Sequence, residues 1–141
     1  MIAIQKEDVD IGQLINAAKK RDAGAVVVFD GIVRDDDIWE MELEAYEEVA
    51  LKELEKIADD AKTLHNLLSI DIIHRIGQLA VGDNILIIVV SAGHRKEAYD
   101  GSRFIIEAIK AGVPIWKKEL TKDGGRWVPG EHAHGSGKSI R

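Results

Sequence analysis

Three lysines lie close together around a proline, and they are the strongest chemical signal in this 141-residue chain. Lys110 comes just before the junction Pro114-Ile115-Trp116, and Lys117 and Lys118 follow it directly. Ammonium groups concentrated in this way indicate an anionic ligand, because each one is a compact positive charge with several hydrogen-bond donors. The spacing predicts a basic pocket but does not name the ligand.

Other basic side chains follow two apolar runs of the sequence. Arg34 comes after the run from residue 25 to residue 33, and His94 and Arg95 follow the run that ends at Ser91-Ala92-Gly93. Strand ends and the loops after them are where α/β proteins usually build their binding sites. We therefore expect the imidazole and the two guanidinium groups to contribute to a basic site.

The charge is unevenly distributed along the chain. The formal net charge is −6 overall; residues 1–93 hold 9 Lys and Arg against 19 Asp and Glu, whereas residues 94–141 hold 10 against 6. A nucleic-acid-binding protein normally has a positive balance overall, and this chain, with a pI of about 5.4, does not. A small anionic substrate, or the acidic terminus of a partner protein, fits this distribution better.

Length and composition predict a single soluble domain. A chain of 141 residues with 45% hydrophobic content can form one core but not two ordinary ones. No apolar run reaches membrane-spanning length and the N-terminus does not resemble a secretory signal, so we expect a cytoplasmic protein. The chain has no cysteine, which excludes disulfides, cysteine-bound metal and a sulfur-carrying thiol.

Hydrophobic periodicity predicts a mixed α/β domain without internal repeats. Helices are expected from about residue 10, at 47–64 and at 96–111. Strands are expected at 2–6, 25–33, 41–45, 70–76, 85–90, 117–122 and 126–129. The strands at 70–76 and 85–90 are predicted to form a hairpin, and Asp123-Gly124-Gly125 is predicted to be the turn of another.

Four blocks of this sequence together resemble the large catalytic subunit of molybdopterin synthase. They are GAVVVFDGIVR at residues 24–34, HRIG at 74–77 with VGD at 81–83, SAGHRKEAY at 91–99, and KAGVPIWKKE at 110–119 followed by GRWV at 125–128. Their order and spacing cover roughly residues 1–130, so the resemblance extends over a whole domain. Residues 131–141 match poorly, and their Gly/Ser-rich composition predicts a flexible tail.

The resemblance implies an α/β hammerhead fold of the α+β type with an additional antiparallel β-sheet. It also implies a homodimer within a heterotetramer, in which each end binds a ubiquitin-like small subunit with a C-terminal Gly-Gly thiocarboxylate. The implied reaction moves sulfur from that thiocarboxylate to cyclic pyranopterin monophosphate and makes the dithiolene of molybdopterin, for molybdenum cofactor biosynthesis. It requires no bound cofactor or metal, and a cysteine-free chain agrees with a sulfur that arrives on a partner.

The resemblance also implies roles for individual residues. Lys117 corresponds to a lysine at the inserted partner terminus, and Lys110 corresponds to the second essential lysine, a candidate for proton transfer. Arg34, His94 and Arg95 correspond to residues that contact the substrate phosphate. The remaining substrate-binding candidates, which shape the apolar wall or extend the basic surface, are Phe29, Trp116 and Arg126.

Each candidate also has a structural explanation. A lysine in the last turn of a helix, such as Lys110, is favoured by the helix dipole, and charges that alternate along a strand, as at Lys117 to Glu119, usually face solvent. His94 could cap a helix, Arg95 could pair with Glu97 or Asp100, and Phe29 and Trp116 could belong to the core. His74 alternates with Ile72 and Ile76, so we predict a buried, hydrogen-bonded histidine there.

Two other functional classes remain open. A metal-dependent phosphohydrolase could use Asp35, Asp36 and His94, and a non-catalytic module could bind an acidic tail or a phosphorylated ligand. A metal site built from His132, His134 and the Asp35 to Asp37 run is not favoured, because such an acidic turn is usually solvated. The segment GSGKS at 135–139 lacks the strand and the helix of a phosphate-binding loop. Lys138 and Arg141 could reach a neighbouring protomer, and the sequence does not decide this.

Overall fold

The protein is described by a computed structural model that covers residues 1–35, 40–121 and 124–128, with the backbone alone at residues 121, 124, 126 and 127. The three helices are α1 (Ile11–Ala18), α2 (Glu47–His65) and α3 (Arg95–Gly112). The eight strands are β1 (Ile2–Gln5), β2 (Ala25–Ile32), β3 (Glu40–Ala45), β4 (Leu67–Arg75), β5 (Gly77–Ala80), β6 (Asn84–Ala92), β7 (Ile115–Thr121) and β8 (Gly124–Val128).

The first sheet is the centre of the fold and has the strand order β1-β4-β6-β2. Only β1 and β4 are parallel; the other neighbours are antiparallel. β6 is buried from Ile85 to Ala92 because helices cover both faces of the sheet. Helices α2 and α3 pack on the face that contains Ile72 and Ile88, and α1 packs over Ile87 and Val89.

The second sheet is fully antiparallel and has the order β5-β3-β7-β8. Across this sheet the register aligns Gly77, Leu43, Lys117 and Val128 in one row. Side chains in such a row project from the same face of the sheet, so Lys117 lies between two apolar neighbours. Every helix and strand predicted from the sequence is present, and the predicted α+β architecture with an additional antiparallel sheet is confirmed.

Two local predictions differ from the structure. The hairpin strands β4 and β6 do pair, but the four-residue strand β5 lies between them in sequence and joins the second sheet instead. Gly124 and Gly125, predicted to be part of a turn, form the start of β8, where Gly125 is opposite Leu120. Within the described ranges, no helix is long and apolar enough to cross a membrane.

Candidate active site

Strand β7 places Lys117 on the buried face of the second sheet. Its side chain is 4% exposed and is opposite Leu43 on one side and Val128 on the other. Glu119 follows two residues later, on the same face, and is 1% exposed opposite Met41. The alternative in which both charges face solvent is therefore wrong, because Lys117 and Glu119 alternate in phase with the buried Ile115.

Lys118 and Trp116 project from the opposite face of β7. Lys118 is half-buried over Gly125, where an added methyl group would collide with the Lys118 side chain. Trp116 is 38% exposed and stacks edge-on against Tyr46, with ring centroids 5.3 Å apart at an interplanar angle of 77°. Trp116 and Lys117 therefore project from opposite faces of the second sheet, since adjacent residues of a strand point to opposite faces, and the place of Trp116 in the apolar wall of the substrate site stays a prediction.

Lys110 lies in the last turn of α3 and is half-buried. It lines an open groove on the flank of that helix, together with Tyr99, Ser102, Arg103, Ile106 and Glu107. Among the described residues, its ammonium makes no hydrogen bond or ion pair. A cation at the C-terminus of a helix is favoured by the helix dipole, so this position combines a stable location with an open approach from solvent.

Arg34 follows the end of β2, and local backbone hydrogen bonds fix its position. The Val33 amide donates to the Asp83 carbonyl at 3.0 Å, and the Gly82 amide donates to the Val33 carbonyl at 2.9 Å. These bonds hold the exposed Arg34 at the edge of the first sheet, beside the turn before β6. Phe29, on β2, is half-buried and packs against the main core, opposite Ile88.

His94 and Arg95 form the exposed N-terminus of α3. His94 is the N-cap residue, but its side chain accepts no capping hydrogen bond. The alternative in which Arg95 pairs with Glu97 or Asp100 is not observed among the described residues; the Asp100 carboxylate accepts a 2.7 Å hydrogen bond from Lys96 instead. The turn before His94 is held tightly against the start of β2, since a methyl group on Gly24 would collide with the Gly93 carbonyl.

A single chain does not bring all these cations together. β2 and β6 are antiparallel, with Ala25 opposite Ala92 and Ile32 opposite Asn84, so Arg34 and His94 lie beyond opposite ends of a ladder roughly 23 Å long. Helix α3 follows β6 after a short turn and packs back along β6 and β2. Its last turn, with Lys110, therefore lies at the Arg34 end, roughly 22 Å along the helix axis from Arg95.

His74 is a structural histidine, as predicted. It is 1% exposed on β4, and its Nδ1–H donates to the Arg75 carbonyl at 2.9 Å. Burial disfavours the imidazolium and lowers the pKa of His74 from 6.5 to about 4, although the hydrogen bond to Arg75 acts in the opposite direction. The imidazole is therefore neutral near pH 7 and does not contribute to the positive charge of the site.

Several predicted positions lie outside the described residues. These are the side chain of Arg126, Asp36 and Asp37, and residues 131–141 with His132, His134, Lys138 and Arg141. Among the described residues, no three His, Asp or Glu side chains come close enough to hold a metal ion. Sequence reasoning missed Glu119 as a site candidate, although its alternation with Ile115 and Lys117 was the signal that could have found it.

The comparison with known proteins identifies the family of this chain. The model described as "MoaE protein" matches residues 4–112, which include Phe29, Arg34, His94, Arg95 and Lys110. The chain belongs to the MoaE family. The molybdopterin synthase catalytic subunit of Pyrococcus abyssi is 38% identical over 129 residues, which span 89% of this chain and 87% of that protein. The family resemblance inferred from the four sequence blocks is therefore confirmed.

Solved structures of MoaE-family proteins share the fold. Molybdopterin synthase from Staphylococcus aureus superposes with a TM-score of 0.83 at 39% identity, covering 88% of this chain and 93% of that one. A chain from the complex of subunits 1 and 2 of the molybdopterin-converting factor from Helicobacter pylori superposes with a TM-score of 0.77 at 28% identity. The match covers 90% of this chain and 90% of that one. This MoaE chain is thus similar to enzyme subunits along almost its whole length.

Proposed function

We propose that this MoaE-family chain is the catalytic subunit of a molybdopterin synthase. It would transfer sulfur from the C-terminal thiocarboxylate of a ubiquitin-like small subunit to cyclic pyranopterin monophosphate, opening the cyclic phosphate and making the dithiolene of molybdopterin. The observation that carries the proposal is Lys117, a lysine 4% exposed between Leu43 and Val128. A buried ammonium acts in a partly dehydrated site, where its electrostatic interactions are stronger than in water, and the family resemblance implies an essential lysine at this position.

Lys117 would act on the acyl group of the partner's terminus. The thiocarboxylate sulfur would attack a side-chain carbon of the pterin and form a C–S bond there, while an oxygen leaves that carbon as the opened phosphate ester or as water. Water then cleaves the acyl C–S bond of the resulting thioester-like intermediate, so the sulfur stays on the pterin and the partner is released as a carboxylate. The negative charge that develops on the acyl oxygen is stabilised by an ammonium held in a partly dehydrated site, where electrostatic interactions are stronger than in water. Lys110, at the open end of α3, would support the proton transfers.

The C-terminal Gly-Gly segment of the partner would enter the site around Lys117 in an extended conformation. The complex of two subunits from Helicobacter pylori supports an assembly with a small subunit, because that chain shares the fold of this one at 28% identity. A chain without cysteine has no thiol to hold the sulfur itself, so a sulfur carried by another protein is chemically consistent.

The substrate phosphate would be bound by residues of two copies of the chain. Arg34 and Lys110 lie toward the same end of the ladder formed by β2 and β6, whereas His94 and Arg95 lie toward its other end. A homodimer with twofold symmetry would supply His94 and Arg95 from one copy to the Arg34 of the other. Guanidinium groups bind phosphate oxygens through paired hydrogen bonds, which suits a ligand shared between two chains.

The decisive experiment is reconstitution with a thiocarboxylated small protein that ends in Gly-Gly. We expect the mixture to form a two-plus-two assembly and to convert cyclic pyranopterin monophosphate to molybdopterin, and removal of the terminal Gly-Gly should abolish conversion. Conversion should persist in the presence of a chelator. Phosphate release that needs no partner and is lost on chelation would instead establish the phosphohydrolase, and binding without any turnover would establish the non-catalytic module.

A further inference from the structure

We infer that the segment at residues 129–141 docks on the outer face of the second sheet of its own chain. The outer face is the one that contains the side chains of Glu42, Glu44 and Trp116, opposite to the face that holds Lys117. The inference goes beyond the proposed function and does not depend on it. Four features carry it: an uncovered sheet face, an exposed aromatic pair at its border, unpaired carboxylates in a cavity beside it, and the basic composition of a segment that starts next to it.

The outer face of the second sheet is uncovered. The inner face packs into the main core through Met41, Leu43 and Ile115. Among the described residues, no helix packs extensively against β3 or β7, and Glu44 and Trp116 are exposed on the outer face. An antiparallel sheet can leave one face in water, but that face is then normally polar. The exposed tryptophan departs from this pattern and indicates a contact surface.

Tyr46 and Trp116 form an aromatic pair at one end of this face. Their ring centroids are 5.3 Å apart and their planes are nearly perpendicular, at 77°. Tyr46 is 67% exposed, and Val49, which follows it by three residues in the first turn of α2, is 53% exposed. Tyrosine and tryptophan are enriched in protein interfaces, and their ring faces attract ammonium and guanidinium groups. The pair therefore fits an occupant that has both apolar and cationic parts.

An acidic cavity opens where β5 ends beside β3. β5 pairs with β3 only as far as Leu43, so the residues of β3 that follow have no neighbour on that side among the described strands. The cavity has a volume of about 580 Å³, and its lining includes the carboxylates of Glu42, Glu44 and Glu47. The only cation in this lining, among the described residues, is Lys6.

The carboxylates of the cavity lack compensating charge. Among the described residues, none of the three makes an ion pair. Lys118 is opposite Glu42, but its side chain lies over Gly125 of β8, on the other side of β7. Glu44 is opposite Trp116, so the acidic cavity adjoins the aromatic pair. A basic segment that crosses this surface can therefore contact aromatic rings and unpaired carboxylates together.

Residues 129–141 have the required charge and starting point. They contain Lys138, Arg141 and two histidines against the single carboxylate of Glu131. The strand that precedes them, β8, ends at Val128, which pairs with β7 one residue from the aromatic pair. β8 and β3 are two strand spacings apart, roughly 10 Å, whereas thirteen extended residues span up to roughly 45 Å. The segment is therefore long enough to cross β7 and reach the cavity.

Covalent attachment favours the chain's own surface over that of another copy. A segment joined to the edge of its docking surface has an effective concentration on the order of millimolar there. Exposed ion pairs contribute little individually, and a cation beside an aromatic ring adds a similar small amount. At this effective concentration a few such contacts are sufficient to keep the segment docked.

A disulfide experiment tests the position of the segment, and the cysteine-free chain makes it simple to interpret. Val49→Cys places a thiol beside the aromatic pair, and Ser139→Cys places one next to Lys138. We expect the double variant, oxidised at low protein concentration, to form a disulfide within one chain. The matched control combines Ser139→Cys with Leu64→Cys, which is 66% exposed on the same helix but roughly 22 Å further along it. Its disulfide should form at least about tenfold more slowly.

Charge reversal separates docking from mere proximity to the end of β8. Replacement of Lys138 and Arg141 by glutamate should slow the disulfide between positions 49 and 139 by about five- to tenfold and leave the control pair unchanged, because only the docked segment depends on these charges. Glu44→Lys together with Glu47→Lys should have the same effect in the original segment. Combining both sets of reversals should restore the rate, because the opposite charges again face each other.

Each result supports or overturns the inference. Selective formation of the disulfide at position 49, slowed by either reversal and restored by both, supports it. Equal rates at positions 49 and 64, or a rate at position 49 that neither reversal changes, would overturn it. Covalent dimers from a mixture of Val49→Cys and Ser139→Cys chains, in place of the disulfide within one chain, would place the segment on another copy and overturn it too. No arm measures sulfur transfer, so this inference and the proposed function fail independently.

Discussion

The two ends of α3 hold cations in opposite electrostatic settings. At the C-terminal end Lys110 is half-buried and favoured by the helix dipole, and Lys117 is enclosed by the second sheet a few residues later. At the N-terminal end His94 and Arg95 are exposed in a place where the dipole disfavours positive charge, and among the described residues they make no hydrogen bond or ion pair through their side chains. The first pair is held by the fold, whereas the second is not explained by folding and points to an anion from outside.

The lysine end should show the largest effect on turnover. Replacement of Lys117 by methionine keeps the length of the buried stem and removes the charge, so we expect single-turnover sulfur transfer to fall by roughly a hundred- to a thousandfold. Lys110→Met should also lower turnover by orders of magnitude. Lys118→Met is the control on the opposite face of β7 and should have a mild effect; Lys117→Arg should not fully restore the rate, because the planar guanidinium replaces a compact ammonium.

A rate close to that of wild type in both Lys110→Met and Lys117→Met would contradict the assigned roles. Thermal unfolding of each variant must accompany the assay, because Lys117 is buried and its replacement also changes packing. Only a loss of turnover in a folded variant counts in favour of the proposal.

Substitution of Arg34 or Arg95, the proposed phosphate-binding residues, should affect the substrate requirement rather than partner binding. Loss of a charge-assisted contact costs about 1.5 to 3 kcal/mol, so Arg95→Ala and Arg34→Ala should each raise the substrate concentration needed for half-maximal rate by roughly ten- to a hundred-and-fifty-fold. Lys96→Ala is the matched control, because Lys96 neighbours Arg95 but pairs with Asp100 on the exposed helix surface. Unchanged kinetics in folded Arg34→Ala and Arg95→Ala variants would remove these residues from the site.

Acid should destabilise the domain through His74, which lies at neither end of α3. The folded state holds the pKa of His74 at about 4 against 6.5 when unfolded, so the unfolded chain binds the proton first as the pH falls. The free energy of unfolding is therefore unaffected by His74 above pH 6.5 and falls as the pH is lowered toward 4, where the loss due to this residue reaches about 3 kcal/mol. The difference in unfolding free energy between wild type and His74→Leu should change over this window, and a constant difference would show that His74 is not a buried neutral imidazole.

The smallest effect is expected for His94→Asp, which should stabilise the fold while it weakens substrate binding. His94→Asp introduces a preferred N-cap side chain and a favourable charge at the helix dipole, so the free energy of unfolding should increase by about 1 kcal/mol while substrate binding is weakened. Chemical denaturation of the variant beside wild type measures the change. A loss of stability would show that His94 has a structural role that the exposed side chain does not reveal.

The sequence predicted the elements well and their spatial relations less well. The uninterrupted apolar run from Ile85 to Val90 identified β6, and helical periodicity identified α3. Strand β5 was missed because its four residues, Gly77–Ala80, are too short for a clear alternation. Short-range pattern describes the element in which a residue lies, and it contains no information about which distant strand becomes its neighbour.

The same limit applies to the candidate site. Adjacent residues of a strand project from opposite faces, so only one of Lys117 and Lys118 can face a pocket. Which one does so depends on the pairing of β7 with Leu43 and Val128, which are distant in sequence. The grouping of Arg34 with His94 and Arg95 in one pocket overlooked the antiparallel pairing of β2 with β6, which separates them within a chain. The separation is a consequence of topology, and it is the reason that the proposed site takes residues from two copies.

Complementation between two variants with weakened substrate binding tests this shared site most directly. Arg34→Ala and Arg95→Ala chains, each impaired alone, should be co-expressed or mixed under conditions that exchange subunits, and sulfur transfer measured at a limiting substrate concentration. If each site takes Arg34 from one copy and Arg95 from the other, half of the dimers are mixed and each contains one intact site, so activity should recover to about a quarter of wild type. No recovery despite verified exchange of subunits would show that Arg34 and Arg95 act within the same chain or in different sites, and would contradict the account.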